Sequence, residues 1–197
     1  MSPSPKEDHV SEQEHQVKGE DVFLLDTNRI SFSGQVDNTN ITKLIALIIA
    51  CAKERPFSFG GKKPRIYIHI DSPGGCLLSG LRAYDNMKRM SKAVKLVTIA
   101  EGHVCSAATL LFLAGTDRRA TPNVSFLIHQ LSSGVYGKNA DIQDEAENCK
   151  SLMKKLIDIY YNETDLRRSA IKKLLLREVY INADQAKDYG IAGSITN

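Results

Sequence analysis

Hydrophobic and polar residues alternate over Arg65-Ile-Tyr-Ile-His-Ile70, and the alternation stops at Asp71-Ser-Pro-Gly-Gly75. A period of two predicts a strand with one buried face. From Cys76 to about Met90 the apolar spacing becomes helical, so the Pro-Gly-Gly lies where a strand ends and a helix begins. The outline recurs downstream. Lys95-Leu-Val-Thr-Ile-Ala-Glu101 predicts a strand, Gly102-His-Val-Cys-Ser106 a glycine turn, and Ala107–Gly115 a helix apolar almost all round, hence buried. Asn123-Val-Ser-Phe-Leu-Ile-His129 reads as a further strand, ending in histidine.

Weaker patterns fill the remainder. Val22–Leu25 and Arg29–Ser33 predict short strands, the second ended by Gly34. Asn38 or Asn40 is a candidate cap for a helix to about Lys53, apolar at Ile41, Leu44, Ile45, Ile48 and Ile49. Arg55–Lys63 reads as a loop, Thr116–Pro122 as a polar connection and Gly134–Lys138 as flexible. Asn139 should cap a long helix to about Asn162, whose stripe Ile142, Ala146, Cys149, Met153, Leu156, Tyr160 suits a helix–helix seam or a core-facing stripe. Thr164 should cap a shorter helix through Leu176, and Glu178–Ile181 is extended. Asn182-Ala-Asp-Gln185 is a capping-box-like start for a last helix, stopped at Gly190. Residues 1–20 are polar and charged, which predicts a disordered tail before a single domain over 21–197. Strands alternating with crossover helices predict an α/β fold with a mostly parallel sheet.

Composition narrows the function more than the fold. The 197 residues carry a formal net charge of +3, with 42% hydrophobic and 25% charged residues. Lys and Arg are interspersed with acids, so nothing points to nucleic acid. The four cysteines show no Cys-x-x-Cys spacing, and the His103/Cys105 pair lacks further ligands, so no metal site is expected. Cys51 and Cys149 lie on apolar helical faces and are expected as buried free thiols, in keeping with a reducing cytoplasmic location. No apolar signal-like region opens the chain, and its longest apolar run, Leu44–Ala52, is too short to span a membrane.

Both glycine turns follow predicted strand ends, where open α/β folds place their sites. Such turns aim backbone N–H groups at an anion, or at an oxygen that becomes one. They equally serve as plain structural turns. Ser106, at the second, is either an exposed nucleophile or a helix N-cap. His129, at a strand end, suits a general base, or a partly buried structural histidine. His103 is its rival, while His69 lies inside a strand and His9 and His15 in the tail. A base of this kind needs an orienting carboxylate. Spacing does not choose among Asp141, Asp158, Asp165, Glu178, Asp184 and Asp188, although Glu178 sits at a loop edge.

Together these stretches resemble the Clp protease proteolytic subunit family, ClpP, of self-compartmentalised serine peptidases. The resemblance runs from Ser33-Gly-Gln-Val36 to Ile195. It includes Asp71–Gly75, Tyr84-Asp-Asn-Met87, Gly102 through Ser106-Ala-Ala, Leu113-Ala-Gly115, Pro122-Asn123 and Ile128-His-Gln130. Gly137, Ala140-Asp-Ile142, Ala183-Asp-Gln-Ala186 and Tyr189-Gly-Ile191 complete it. It implies a ClpP/crotonase-like α/β fold of stacked β/α units with a protruding long helix. It also implies Ser106 as nucleophile, His129 as base, Glu178 as the third triad member, and the Gly75 and Ala107 N–H groups as oxyanion hole.

The implied protein is a serine endopeptidase cutting polypeptides inside a homo-oligomeric chamber of two stacked rings. It has no metal or cofactor of its own, and ATP enters only through a partner unfoldase. The chain departs from the family pattern at Cys105 and Ala107, which flank Ser106, at Leu131 for the usual Pro, at Ser133-Gly134 for Gly-Gly, and at Glu178 for the usual Asp. The segment before Arg29 is short for the family, and Arg55–Lys63 reads as an insertion. Alternatives are a maturation or signal-peptide peptidase of the same type, a catalytically weak ring subunit, and a crotonase-type acyl-CoA enzyme. The last would not need both Ser106 and His129.

Overall fold

The computed structural model describes residues 21–54 and 63–196. The tail expected over 1–20 and most of the loop expected over 55–63 lie outside the described residues. The elements in order are β1 (Val22–Asp26), β2 (Arg29–Phe32), α1 (Asn38–Glu54), β3 (Arg65–Ser72), α2 (Leu77–Met90), β4 (Lys95–Cys105) and α3 (Ala108–Leu113). They continue with β5 (Asp117–Ala120), β6 (Ser125–Leu127), α4 (Asn139–Glu163), α5 (Arg168–Leu175), β7 (Ile181–Asn182), α6 (Ala183–Asp188) and β8 (Ser194–Ile195).

This is an α/β architecture. Among the described residues one sheet runs β1-β2-β3-β4-β5-β8, antiparallel at β1–β2 and parallel from there on. A branch leaves this path at β4, which also pairs β6 in parallel, and β6 pairs β7 antiparallel. On β3 the alternation has a direct cause: Ile66, Ile68, Ile70 and Ser72 are buried while the residues between them stay partly exposed. The next strand does not alternate. Leu96 to Ala100 are all buried, as expected for a central strand covered on both faces. All six residues of α3 are buried as well. Each fully buried Leu or Ile contributes roughly 1.5–3 kcal/mol, so the block of β3, β4 and α3 carries a large share of the core.

Several expectations change. Asp37 Oδ1, not Asn38 or Asn40, accepts from the Asn40 N–H (2.8 Å) and caps α1. Gly102 does not end a strand. It adopts φ 52 inside β4, which continues to Cys105. The polar connection Thr116–Pro122 contains β5, hidden from a hydrophobic reading because Asp117, Arg118 and Arg119 make its strand. There Arg119 and Lys95 hold the Asp117 carboxyl down at about 2. The helix expected to start at Thr164 starts at Arg168, and Thr164 instead closes α4 by donating to the Tyr160 carbonyl (2.6 Å). The α4 cap is Lys138, whose N–H donates to Asp141 Oδ2 (2.9 Å), rather than Asn139. Cys51 is buried, but Cys149 is only half-buried.

The predicted capping box at Asn182 forms as read. Asn182 Oδ1 accepts from the Gln185 N–H (2.9 Å), and Gln185 Oε1 accepts from the Asn182 N–H (3.1 Å). The α4 stripe is only half covered: Leu156 and Tyr160 are buried, whereas Ile142 and Ala146 are exposed.

Candidate active site

β3 ends at Ser72, and the chain turns through Pro73, Gly74 and Gly75 into α2. Ser72 is fully buried; its hydroxyl donates to the Gly34 carbonyl (2.6 Å) and accepts from the Gly74 N–H (3.1 Å). The segment before α1 straps the turn from outside, through Val36 N–H to Gly74 O (2.8 Å) and Cys76 N–H to Val36 O (2.7 Å). Gly74, at φ 96, must be glycine: a Cβ there would lie 2.5 Å from the Cys105 carbonyl oxygen and 2.6 Å from Ser106 Cβ. The glycine turn is thus pressed against the end of β4, which sequence spacing does not reveal.

At that end stands Ser106. It has φ 53, the one positive φ outside glycine among the described residues. A side chain in the left-handed region costs energy and persists only where its surroundings hold it. Here three bonds do so. The Ser106 N–H donates to Leu127 O of β6 (2.8 Å), and the Ser106 carbonyl accepts from both the Thr109 N–H (3.0 Å) and the Thr109 hydroxyl (2.6 Å). Because the Thr109 proton is so used, Tyr160 must be the donor in the Thr109–Tyr160 hydroxyl pair (2.5 Å). Burial pushes the Tyr160 hydroxyl well above its ordinary value, so it stays a neutral donor. A tether therefore runs from α4 through Thr109 to the backbone of Ser106.

Ser106, Ala107, Gly75 and His129 line one cleft of about 380 Å³, closed by Leu131, Leu156 and Tyr160 among others. Among the described residues neither the Gly75 nor the Ala107 N–H has a backbone acceptor, so both are free to bind an oxygen. Cys76, exposed at the start of α2, also lines the cleft, and hydrogen bonding to the Ser79 backbone and hydroxyl lowers the pKa of its thiol. The neighbouring Cys105 is buried, which pushes its thiol up.

His129 lies just beyond β6, anchored by the Gln130 N–H donating to Leu175 O (2.8 Å). Continuing the antiparallel register that pairs Phe126 with Ile181 and Ser125 with Asn182 sets His129 opposite Glu178. The nearest approach is 3.6 Å, from His129 Nδ1 to Glu178 Oε1, beyond hydrogen-bond range. The Glu178 side chain is 80% exposed, against 25% for His129.

Two other candidate carboxylates are engaged elsewhere, Asp141 with the Lys138 N–H and Asp158 with Arg168. His103, the rival base, is outside the cleft lining and sits 2.6 Å from Asp71 Oδ1. His69 pairs with Glu101 (2.7 Å). Sequence reasoning missed Thr109 and Cys76 as parts of the site. The first carries no motif, and the second was read only as a thiol. Among the described residues no cluster of three or more His, Cys, Asp or Glu could hold a metal, and no helix is long and apolar enough to cross a membrane. A family model, Clp protease, matches residues 12–197.

Proposed function

The chain belongs to the Clp protease family, whose activity is that of a serine peptidase, and on that footing we propose that it is an endopeptidase with Ser106 as nucleophile. Ser106 Oγ attacks the scissile carbonyl while His129 takes its proton through Nε2, the nitrogen turned away from Glu178. Glu178 steadies the imidazolium from the Nδ1 side. The Gly75 and Ala107 N–H groups hold the oxyanion. As the tetrahedral intermediate collapses, the C–N bond breaks and His129 returns the proton to the departing amine. Water, deprotonated by His129, then attacks the Ser106 ester and frees the second product.

The observation that carries this reading is the convergence, on one cleft, of a serine held at φ 53 with two N–H groups that have no backbone acceptor among the described residues. The test is incubation with a fluorophosphonate probe and mapping of the labelled residue. Ser106 is expected, and labelling elsewhere would refute the assignment.

Members of this family generally assemble into rings. We infer two stacked rings here, with polypeptides admitted by an ATP-driven unfoldase and no cofactor in this chain. The exposed apolar side chains Val135, Tyr136 and Ile142 around the start of α4 support a contact on that side. Light scattering that finds only monomer at micromolar concentration across several salt conditions would contradict the ring. A second reading, a ring subunit of weak activity, is favoured by the loose 3.6 Å His129–Glu178 approach.

A further inference from the structure

Strands β3 and β4 pair in regular register from Arg65↔Lys95 to Ile70↔Ala100, and the next pair is Ser72↔Val104. Three residues of β4, Glu101, Gly102 and His103, thus face the single residue Asp71. The bulge falls where β4 changes neighbour. Before it, Val97–Ala100 pair with β5; from its last residue on, His103–Cys105 pair with β6. Bulges bend a strand and re-aim the residues beyond them. This one delivers Ser106 to β6, the strand that leads into His129.

The Asp71 carboxylate fills the bulge. Oδ1 accepts the His103 backbone N–H (3.0 Å) and lies 2.6 Å from His103 Nδ1. Gly102 packs on it so closely that a Cβ there would stand 2.6 Å from the same oxygen. Asp71 also adjoins Ser72, whose hydroxyl fixes the Gly74 turn. Its backbone thus continues into the oxyanion turn on β3, while its side chain grips β4 shortly before Ser106. Neither Asp71 nor His103 lines the cleft.

We propose that Asp71 is a positioning residue whose carboxylate splints the β4 bulge and so sets Ser106 against the Gly74–Gly75 turn. The inference rests on Ser106 being the nucleophile. The two side chains are each nearly half exposed, and an exposed ion pair contributes little. The working contact is the charge-assisted bond to the His103 N–H. A loss of positioning on the ångström scale lowers the chemical step rather than substrate binding.

The experiment compares parent, Asp71→Ala, Asp71→Asn and His103→Ala in steady-state peptide hydrolysis and in fluorophosphonate labelling, alongside thermal melts. Asp71→Ala should lower kcat roughly tenfold to a hundredfold with KM nearly unchanged. Asp71→Asn, whose amide oxygen still accepts the His103 N–H, should restore most of kcat. His103→Ala, which keeps that N–H, should stay within roughly twofold of the parent, the scatter of exposed ion pairs. Asp71→Ala at parent kcat, a change in KM alone, or an Asn variant as poor as Ala overturns the proposal. If Asp71→Ala does not fold, Gly102→Ala decides: its Cβ displaces the carboxylate from the opposite side, and a folded Gly102→Ala enzyme at parent kcat overturns the proposal. An unlabelled parent overturns the Ser106 reading and this one with it, whereas a labelled parent and an equally fast Asp71→Ala overturn this one alone.

Discussion

The two halves of the cleft are built differently. On the Ser106 side every approach is over-determined: Gly74 leaves no room for a Cβ, the Ser106 carbonyl accepts two bonds, and the tether through Thr109 ends on a fully buried Tyr160. On the His129 side the partner carboxylate is 80% exposed and stands 3.6 Å away. On the proposed reading, fixed placement of Ser106 and of the Gly75 and Ala107 N–H groups would serve electrostatic stabilisation, which works through groups that need not move during reaction. An exposed, loosely held acid contributes less, because water screens it and its rotamers compete. If the proposed roles hold, the contrast teaches that the cleft is built to meet charge on a substrate oxygen more than to orient the base.

The largest break in that contrast is Ser106→Ala. It should lower peptide hydrolysis by about four or more orders of magnitude, the scale of losing a triad nucleophile, with His129→Ala comparable. Persistent hydrolysis by a contaminant-free Ser106→Ala sample would remove the nucleophile from the rigid half altogether.

Gly74→Ala comes next. The added Cβ would meet the Cys105 carbonyl at 2.5 Å with φ 96 unfavourable to it, so Ser106 and Gly75 must separate. A loss of roughly a hundredfold or more in kcat is expected, in line with an ångström-scale displacement. Parent-level kinetics would mean that the glycine turn tolerates slack and the rigid half is not rigid.

Glu178→Gln sharpens the other side. In a tightly held triad, neutralising the acid costs about 10⁴ in kcat. Here the expected loss is only about tenfold, given a partner screened by solvent. A loss approaching the larger figure would show that Glu178 closes on His129 during turnover. A Glu178→Asp enzyme faster than the parent would show that the longer side chain is a cost this protein tolerates.

The smallest effect concerns the tether. Thr109→Val removes the partner of the buried Tyr160 hydroxyl and should lower stability by about 1–3 kcal/mol, the desolvation cost of an unsatisfied buried donor. Calorimetry that finds no change would mean that Tyr160 has another partner.

Much of this was legible in the sequence where physics is local. The alternation from Arg65 to Ile70 follows from one buried face, and it predicted β3 within two residues of its end. The Asn182–Gln185 capping box needs only neighbouring atoms, and it formed as read. Local reading failed where the cause lies elsewhere in the fold. β5 is polar because Lys95 and Glu163 supply partners for Asp117 and Arg118 from distant elements. Gly102 resembles a turn glycine, yet its positive φ serves a bulge filled by Asp71.

By itself the sequence determined an α/β chain, its main strand and helix segments, and a short set of chemical residues, since periodicity and turn chemistry act over a few neighbours. Which of those residues meet was decided only by tertiary structure. Ser106 reaches the β6 side because a bulge switches the partner of β4, and Glu178 lies opposite His129 because β6 and β7 pair in one register. Strand pairing is a long-range choice, made by the burial of whole faces and the satisfaction of backbone groups. No local stretch of residues records it.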